Sequence, residues 1–101
     1  MCIRDRLTNN LKEEGRFDAV KAYGSASHQP SESRLNKVHA PVLVMMGTAD
    51  PDFPDPIAEA KYIVAQTGGQ LALIEEAGHY PQTEMPDKTT SIVIEFLQNA
   101  K

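Results

Sequence analysis

Two short, continuous apolar segments dominate the hydropathy pattern of this chain. The first covers residues 41–46 and ends at Gly47, and the second covers residues 71–74. Segments of this length without polar alternation are typical of strands that helices cover on both faces of a parallel sheet. The pattern therefore predicts two parallel β-strands.

Helical signals follow each strand. Asp55-Pro56 is a typical helix start and Gly68-Gly69 a typical stop, so a helix is expected between the strands. Asp87 is expected to cap a last helix. The apolar positions of that helix recur at spacings of three and four, and its predicted inward face is Ile92, Val93, Phe96 and Leu97. The order strand, helix, strand, helix predicts an α/β fold with a right-handed parallel crossover.

The first third of the chain carries weaker patterns. Residues 7–23 are helical in spacing, and Gly15 is expected to divide them into two short helices. Residues 24–33 are polar and predict a connector, after which residues 31–35 favour one further helical turn. Residues 1–6 have no features of a signal peptide and are interpreted as a non-native or disordered start. The predicted organisation is therefore residues 1–6, residues 7–34 and a core of residues 35–101.

The predicted core is incomplete. Two parallel strands and two helices leave at least one strand edge and one sheet face uncovered, and buried strands tolerate this poorly. The sequence therefore predicts a missing neighbour, supplied by upstream chain or by a partner.

Composition narrows the classes of protein. Of 101 residues, 41% are hydrophobic and 24% charged, which is ordinary for a globular domain and unlike a disordered one. The formal net charge of −4 argues against nucleic acid and anionic membranes as partners. Cys2 is the single cysteine, so no internal disulfide is expected, and no Cys/His spacing resembles a zinc site. These features predict a cytoplasmic, acidic, soluble protein.

Asp50 and His79 are the candidate chemical groups because of where they lie. Asp50 follows the first strand in Gly47-Thr-Ala-Asp50, and His79 follows the second in Gly78-His79-Tyr-Pro81. Parallel sheets place reacting groups beyond the carboxyl ends of their strands. A carboxylate beside an imidazole fixes its tautomer and stabilises the imidazolium that forms when histidine removes a proton. The two residues therefore predict the acid–base half of a nucleophilic triad.

At this point the sequence resembles the carboxyl-terminal third of an α/β-hydrolase. The resemblance covers residues 35–101, and more weakly residues 7–28, which are similar to the end of a helical cap. It is carried by these motifs in order: PVLVMMGTAD (41–50), GHYP (78–81), EMP (84–86) and a helix ending in FL (96–97). The family's chain order of nucleophile, acid and histidine agrees with the order found here.

The resemblance implies a partial α/β-hydrolase fold, with Asp50 as triad acid and His79 as base. It implies serine-type hydrolysis of a small ester, lactone or amide, with a small acyl-type substrate as partner and no cofactor or metal. Dehalogenases, peroxidases and acyltransferases share the scaffold, so the substrate stays open. The family's Gly-x-Ser-x-Gly elbow and its oxyanion-hole turn are absent. Residues 24–28, GSASH, lack the second glycine and a preceding strand, so this chain is expected to be inactive by itself.

Several residues have competing interpretations. Asp52 is the second candidate for the acid, whereas Asp55 is better explained as a helix cap. Phe53 and Tyr80 either line a substrate cavity or pack in the core or at the rim. Glu84 is either a solvated charge or a hydrogen-bond partner of the histidine loop backbone.

The remaining candidates have structural interpretations. Met45 and Met46 are expected in the sheet core and not in a soft-metal site. His39 is expected to be exposed, and neither it nor His28 has an evident partner.

Two other functions stay open at the level of sequence. The chain is either part of a non-catalytic module that binds a small ligand on the same fold, or a small α/β domain that dimerisation completes. An upstream nucleophile elbow would favour the enzyme over the binding module, and the oligomeric state is not predicted.

Overall fold

The structure is a computed structural model that describes residues 2–100, and the chain divides into two units, residues 1–32 and residues 33–101. The described chain is mixed α/β and mostly helical, with one small parallel sheet of two strands. The predicted mixed α/β class is therefore confirmed at this level.

The first unit contains three helices: α1 (Ile3–Leu11), α2 (Arg16–Ser25) and α3 (Gln29–Glu32). Gly15 separates α1 from α2 and adopts a φ of 76°, a left-handed conformation that glycine reaches without steric cost. The predicted division at this glycine is confirmed. No side chain of α1, α2 or α3 is buried.

Two elements of this unit differ from the sequence prediction. Helix α1 begins at Ile3, inside the segment predicted to be a non-native or disordered start. The Asp5 carboxylate accepts a hydrogen bond from the Cys2 amide at 3.2 Å, which satisfies one of the free donors at the start of this helix. Helix α3 lies in the segment predicted to be a polar connector and overlaps the start of the helical turn predicted at residues 31–35.

The second unit begins with a 3₁₀ turn and continues with two strands and three helices. In chain order these are the 3₁₀ turn (Leu35–Lys37), β1 (Leu43–Gly47), α4 (Pro56–Thr67), β2 (Gln70–Ile74), α5 (Pro81–Glu84) and α6 (Pro86–Asn99). β1 and β2 pair in parallel, with Leu43 opposite Gln70 and Gly47 opposite Ile74. The two strands therefore end side by side, as the crossover prediction requires.

The core of the second unit lies between β1 and α4. Val44 and Met46 point to the same face of the sheet and are buried against Ala60, which has no solvent exposure. The half-buried side chains that pack against this cluster are Val42, Phe53, Ile63, Val64 and Leu73.

The ends of α4 agree with the sequence prediction. The Asp55 carboxylate accepts a hydrogen bond from the Ala58 amide at 2.9 Å, and Pro56 is the first helical residue. Gly68 ends the helix at a φ of 68°.

In the region after β2, the predicted helix cap is wrong and an additional helix is present. Helix α6 is capped by Met85, and Asp87 lies in its first turn instead of at the cap. An additional short helix, α5, precedes α6, and the buried Thr89 hydroxyl of α6 donates to the Pro81 carbonyl of α5 at 3.0 Å.

Leu97 is 64% exposed, so the predicted inward face of α6 is limited to Ile92, Val93 and Phe96.

A further strand could pair with either edge of the sheet. Within residues 2–100 it contains only two strands, so each strand has one paired edge. At the amino ends of the strands, a groove of about 210 Å³ separates the sheet from α6. Its lining is Leu43, Gln70, Leu71, Ala72, Ile92, Glu95, Phe96 and Asn99. Among the described helices, none is long and apolar enough to cross a membrane.

Candidate functional site

Residues 48–55, the acid loop, leave β1 at a point where the backbone of the next loop lies very close. A Cβ atom at Gly47 would overlap the carbonyl oxygens of Ala77 and Gly78. The Ala49 amide donates to the Ala77 carbonyl at 2.9 Å, and the Thr48 amide donates to the Ile74 carbonyl at 3.0 Å. The acid loop is therefore joined to the end of β2 by its backbone.

Asp50 is buried at the centre of the acid loop. Its side chain is 5% exposed, and Oδ1 accepts the Asp52 amide at 2.9 Å. This local turn fixes the carboxylate relative to its own backbone. Among the described residues, no buried side-chain nitrogen or oxygen lacks a hydrogen-bond partner.

Residues 75–80, the histidine loop, leave β2 beside the acid loop. The Glu76 amide donates to the Thr48 hydroxyl at 2.9 Å, and Glu76 has a φ of 62°, an uncommon conformation for a residue with a Cβ. The Glu84 carboxylate accepts the Gly78 amide at 3.1 and 3.0 Å and the Tyr80 amide at 3.1 Å. The sequence left the role of Glu84 open, and the structure assigns it hydrogen bonds to this loop.

The two candidate residues meet at the carboxyl edge of the sheet. His79 Nδ1 lies 3.0 Å from Asp50 Oδ2 and 3.2 Å from Oδ1. Because an ionised carboxylate only accepts hydrogen bonds, the contact requires the proton on Nδ1. Nε2 is then the nitrogen that would exchange a proton with a reacting group, and the His79 side chain is 42% exposed.

Electrostatics favours the protonated imidazole. The hydrogen bond from the His79 ring to Asp50 raises the pKa of His79 above its ordinary value of 6.5. Desolvation acts in the opposite direction, and the negative charges of Asp50 and Asp52 add to the increase. A carboxylate in this position supports the imidazolium that a general base becomes after taking a proton.

Asp52, the second candidate for the acid, also reaches the imidazole. Its Oδ2 lies 3.2 Å from His79 Nδ1, but its side chain is 60% exposed. Water competes for an exposed carboxylate, so Asp50 forms the stronger contact. Asp55 is the cap of α4 and not a partner of the histidine.

The same three side chains have the spacing of possible metal ligands. One ligand atom from each of Asp50, Asp52 and His79 lies within 4.8 Å of the others. Such acidic groups are common without an ion, and the hydrogen bond that Nδ1 donates to the carboxylates accounts for the arrangement. We assign no ion to it.

The other candidate residues of the second unit are peripheral or structural. Tyr80 is 61% exposed, and its ring is perpendicular to the His79 ring at 5.0 Å, so it lies at the rim of the site. Phe53 packs against the core cluster. Met46 is buried and Met45 half-buried, as expected of sheet residues, and His39 is exposed.

The serine-containing segment near residue 25 lies in the first unit. The Ser25 hydroxyl donates to the carbonyls of Lys21 and Ala22 at 3.0 and 3.3 Å, which is ordinary helix-end bonding. His28 in this segment is exposed.

No protein-family model, curated protein or solved structure matches this chain.

Proposed function

We propose that this chain carries the acid and the base of a serine-type hydrolase of the α/β-hydrolase family. The observation that supports the proposal is the contact between His79 Nδ1 and the buried Asp50 carboxylate at 3.0 Å. Both groups follow adjacent parallel strands, where α/β proteins place their reacting residues. The chain lacks a Gly-x-Ser-x-Gly elbow, so the nucleophile belongs to another part of the protein.

In the proposed reaction a serine hydroxyl attacks the carbonyl carbon of a small ester, lactone or amide. Nε2 of His79 takes the hydroxyl proton as the new C–O bond forms, and Asp50 stabilises the resulting imidazolium. The imidazolium then gives the proton to the leaving oxygen or nitrogen, and the acyl group stays on the serine. His79 then takes a proton from water as the water oxygen attacks the acyl carbon. The bond to the serine oxygen breaks, the imidazolium returns its proton to that oxygen, and the acid is released.

The test begins with the genomic sequence upstream of the codon for Leu7. The proposal expects a strand, a Gly-x-Ser-x-Gly turn and a helix there. The longer gene product should hydrolyse a chromogenic short-chain ester. His79→Ala should lower its kcat by about 10⁴-fold or more, because the serine loses its general base.

His39→Ala is the matched control, since His39 is an exposed histidine of the same unit and should leave kcat unchanged. Turnover that survives His79→Ala would remove His79 from the mechanism. A longer protein that binds the ester without hydrolysing it would instead be the non-catalytic ligand-binding module.

A further inference from the structure

Glu84 contacts the backbone on both sides of His79. Both of its carboxylate oxygens accept the Gly78 amide, and Oε2 also accepts the Tyr80 amide at 3.1 Å. These two amides belong to the residues immediately before and after the histidine. Hydrogen bonds from amides to a charged acceptor are stronger than those to a neutral one.

Glu84 is an exposed residue of a short helix that is hydrogen-bonded to α6. Glu84 is the last residue of α5, whose first residue, Pro81, is buried. The Thr89 hydroxyl of α6 donates to the Pro81 carbonyl, which fastens α5 to the longer helix. A Cβ atom at Gly78 would lie 3.1 Å from Glu84 Oε1, so a side chain at this position would crowd the carboxylate.

This arrangement fixes the part of the chain from which the imidazole projects. The direction of the His79 side chain depends on the backbone on either side of its Cα. The Glu84 carboxylate restrains the peptide unit that follows His79, through the Tyr80 amide, and the peptide unit that precedes Gly78, through the Gly78 amide. Residues 78 and 80 are otherwise in an exposed loop, where water would compete for their amides.

We propose that Glu84 is a positioning residue, whose carboxylate holds the backbone around His79 so that Nδ1 faces Asp50. Its importance for catalysis rests on the proposed function, whereas its effect on the imidazole does not. Glu84 acts through His79 and is not expected to contact a substrate.

The test measures the His79 imidazole in the full 101-residue chain by ¹⁵N NMR titration, with amide hydrogen exchange of residues 78 and 80. Glu84→Ala removes both acceptor oxygens. We expect the pKa of His79 to fall toward 6.5 and the two amides to exchange about tenfold faster, because the loop no longer directs Nδ1 at Asp50.

Glu84→Gln separates geometry from charge. Its single amide oxygen can take the place of Oε2, which accepts from both amides, so this variant should retain more than half of the wild-type increase in the pKa of His79. Glu75→Ala and Glu75→Gln are the matched controls, because Glu75 is an exposed glutamate of the same loop. Both should leave the amide exchange unchanged.

Three results would overturn the proposal. The first is an unchanged pKa of His79 in Glu84→Ala. The second is an equal decrease in the pKa of His79 in the Glu84 and Glu75 variants, which would show that only the loss of a negative charge matters. The third result applies if Glu84→Ala does not fold. In that case, a Glu84→Gln variant that loses the whole increase in the pKa of His79 would contradict the proposal, because its amide oxygen can still accept the two loop amides. None of these measurements requires turnover, so the positioning role of Glu84 can be disproved while the hydrolase proposal stands, and the reverse.

Discussion

The two loops at the carboxyl edge of the sheet are held in different ways. The acid loop is fixed by main-chain bonds to the carbonyls of Ile74 and Ala77, and its Asp50 side chain is 5% exposed. In the histidine loop, the amides of residues 76, 78 and 80 donate to side chains, namely the Thr48 hydroxyl and the Glu84 carboxylate. His79 is also more exposed than Asp50.

This difference indicates which half of the pair is easier to displace. The position of Asp50 depends on backbone geometry that most side-chain substitutions leave intact. The position of His79 depends on the main-chain bonds of Ala77 and, in addition, on two polar side chains, and the loss of either side chain removes a restraint. We therefore expect single substitutions to move the imidazole more readily than the carboxylate.

We expect the largest loss of stability from a substitution at Gly47, where backbone atoms of the two loops lie close together. In Gly47→Ala the new Cβ would overlap the carbonyl oxygens of Ala77 and Gly78 and lie 2.7 Å from the Ala77 carbonyl carbon. Because these are backbone atoms, the histidine loop has to move away. We expect the free energy of unfolding of the second unit to fall by about 3 kcal/mol, measured by urea denaturation.

Gly24→Ala is the control for this prediction. Apart from its chain neighbours and the backbone of its own helix, no atom lies within 4 Å of a Cβ at Gly24, which belongs to α2 in the first unit. Alanine should stabilise α2 by about 0.5–1 kcal/mol relative to glycine, and the free energy of unfolding of the second unit should not change. A Gly47→Ala protein as stable as wild type would contradict the close approach of the loops.

A smaller effect is expected at the side-chain restraint of the histidine loop. Thr48→Val removes the hydroxyl that accepts the Glu76 amide and keeps the shape of the side chain. The expected loss is about 1 kcal/mol in the free energy of unfolding, because water replaces part of the hydrogen bond. Amide exchange should accelerate at Glu76.

Thr48→Ser retains the hydroxyl and should behave as wild type. If valine and serine had the same effect, the restraint would be packing and not the hydrogen bond.

The smallest effect is the dependence of stability on pH. Because the pKa of His79 is raised in the folded state, its contribution is fully present below about pH 6.5 and is lost as pH rises through the folded-state pKa. Asp50→Asn removes the main cause and should flatten the decrease in stability above pH 6.5. Asp52→Asn should flatten it less, since Asp52 is 60% exposed.

Urea denaturation at several pH values measures this effect. Equal flattening by the two variants would mean that the buried carboxylate has no advantage over the exposed one.

The sequence predicted the crossover well because each of its signals is local. The first turn of α4 is set by Asp55 and Pro56, and the helix ends where Gly68 adopts a left-handed conformation. The two apolar segments indicate strands wherever a sheet is covered by helices. The proximity of Asp50 and His79 follows from parallel pairing, which the order of the elements implied. Their catalytic role stays a prediction.

Features that depend on tertiary context were missed. The sequence contains Pro81 and Pro86, each of which begins a helix, but Asp87 was chosen as a cap because its side chain is a better cap than that of Met85. The sequence left open whether Glu84 is a solvated charge or a partner of the histidine-loop backbone, because the answer depends on α5 placing its last residue beside that loop. The exposure of Leu97 depends on which face of α6 meets the sheet.

The parallel pairing of β1 and β2 also constrains the order in which the protein folds. Asp50 and His79 are 29 positions apart, and closing a loop of this length costs about 3 kcal/mol of chain entropy. A pair with one exposed partner is too weak to close it. We therefore expect the docking of α4 and its apolar side chains against β1 to shorten that loop before the imidazole meets the carboxylate.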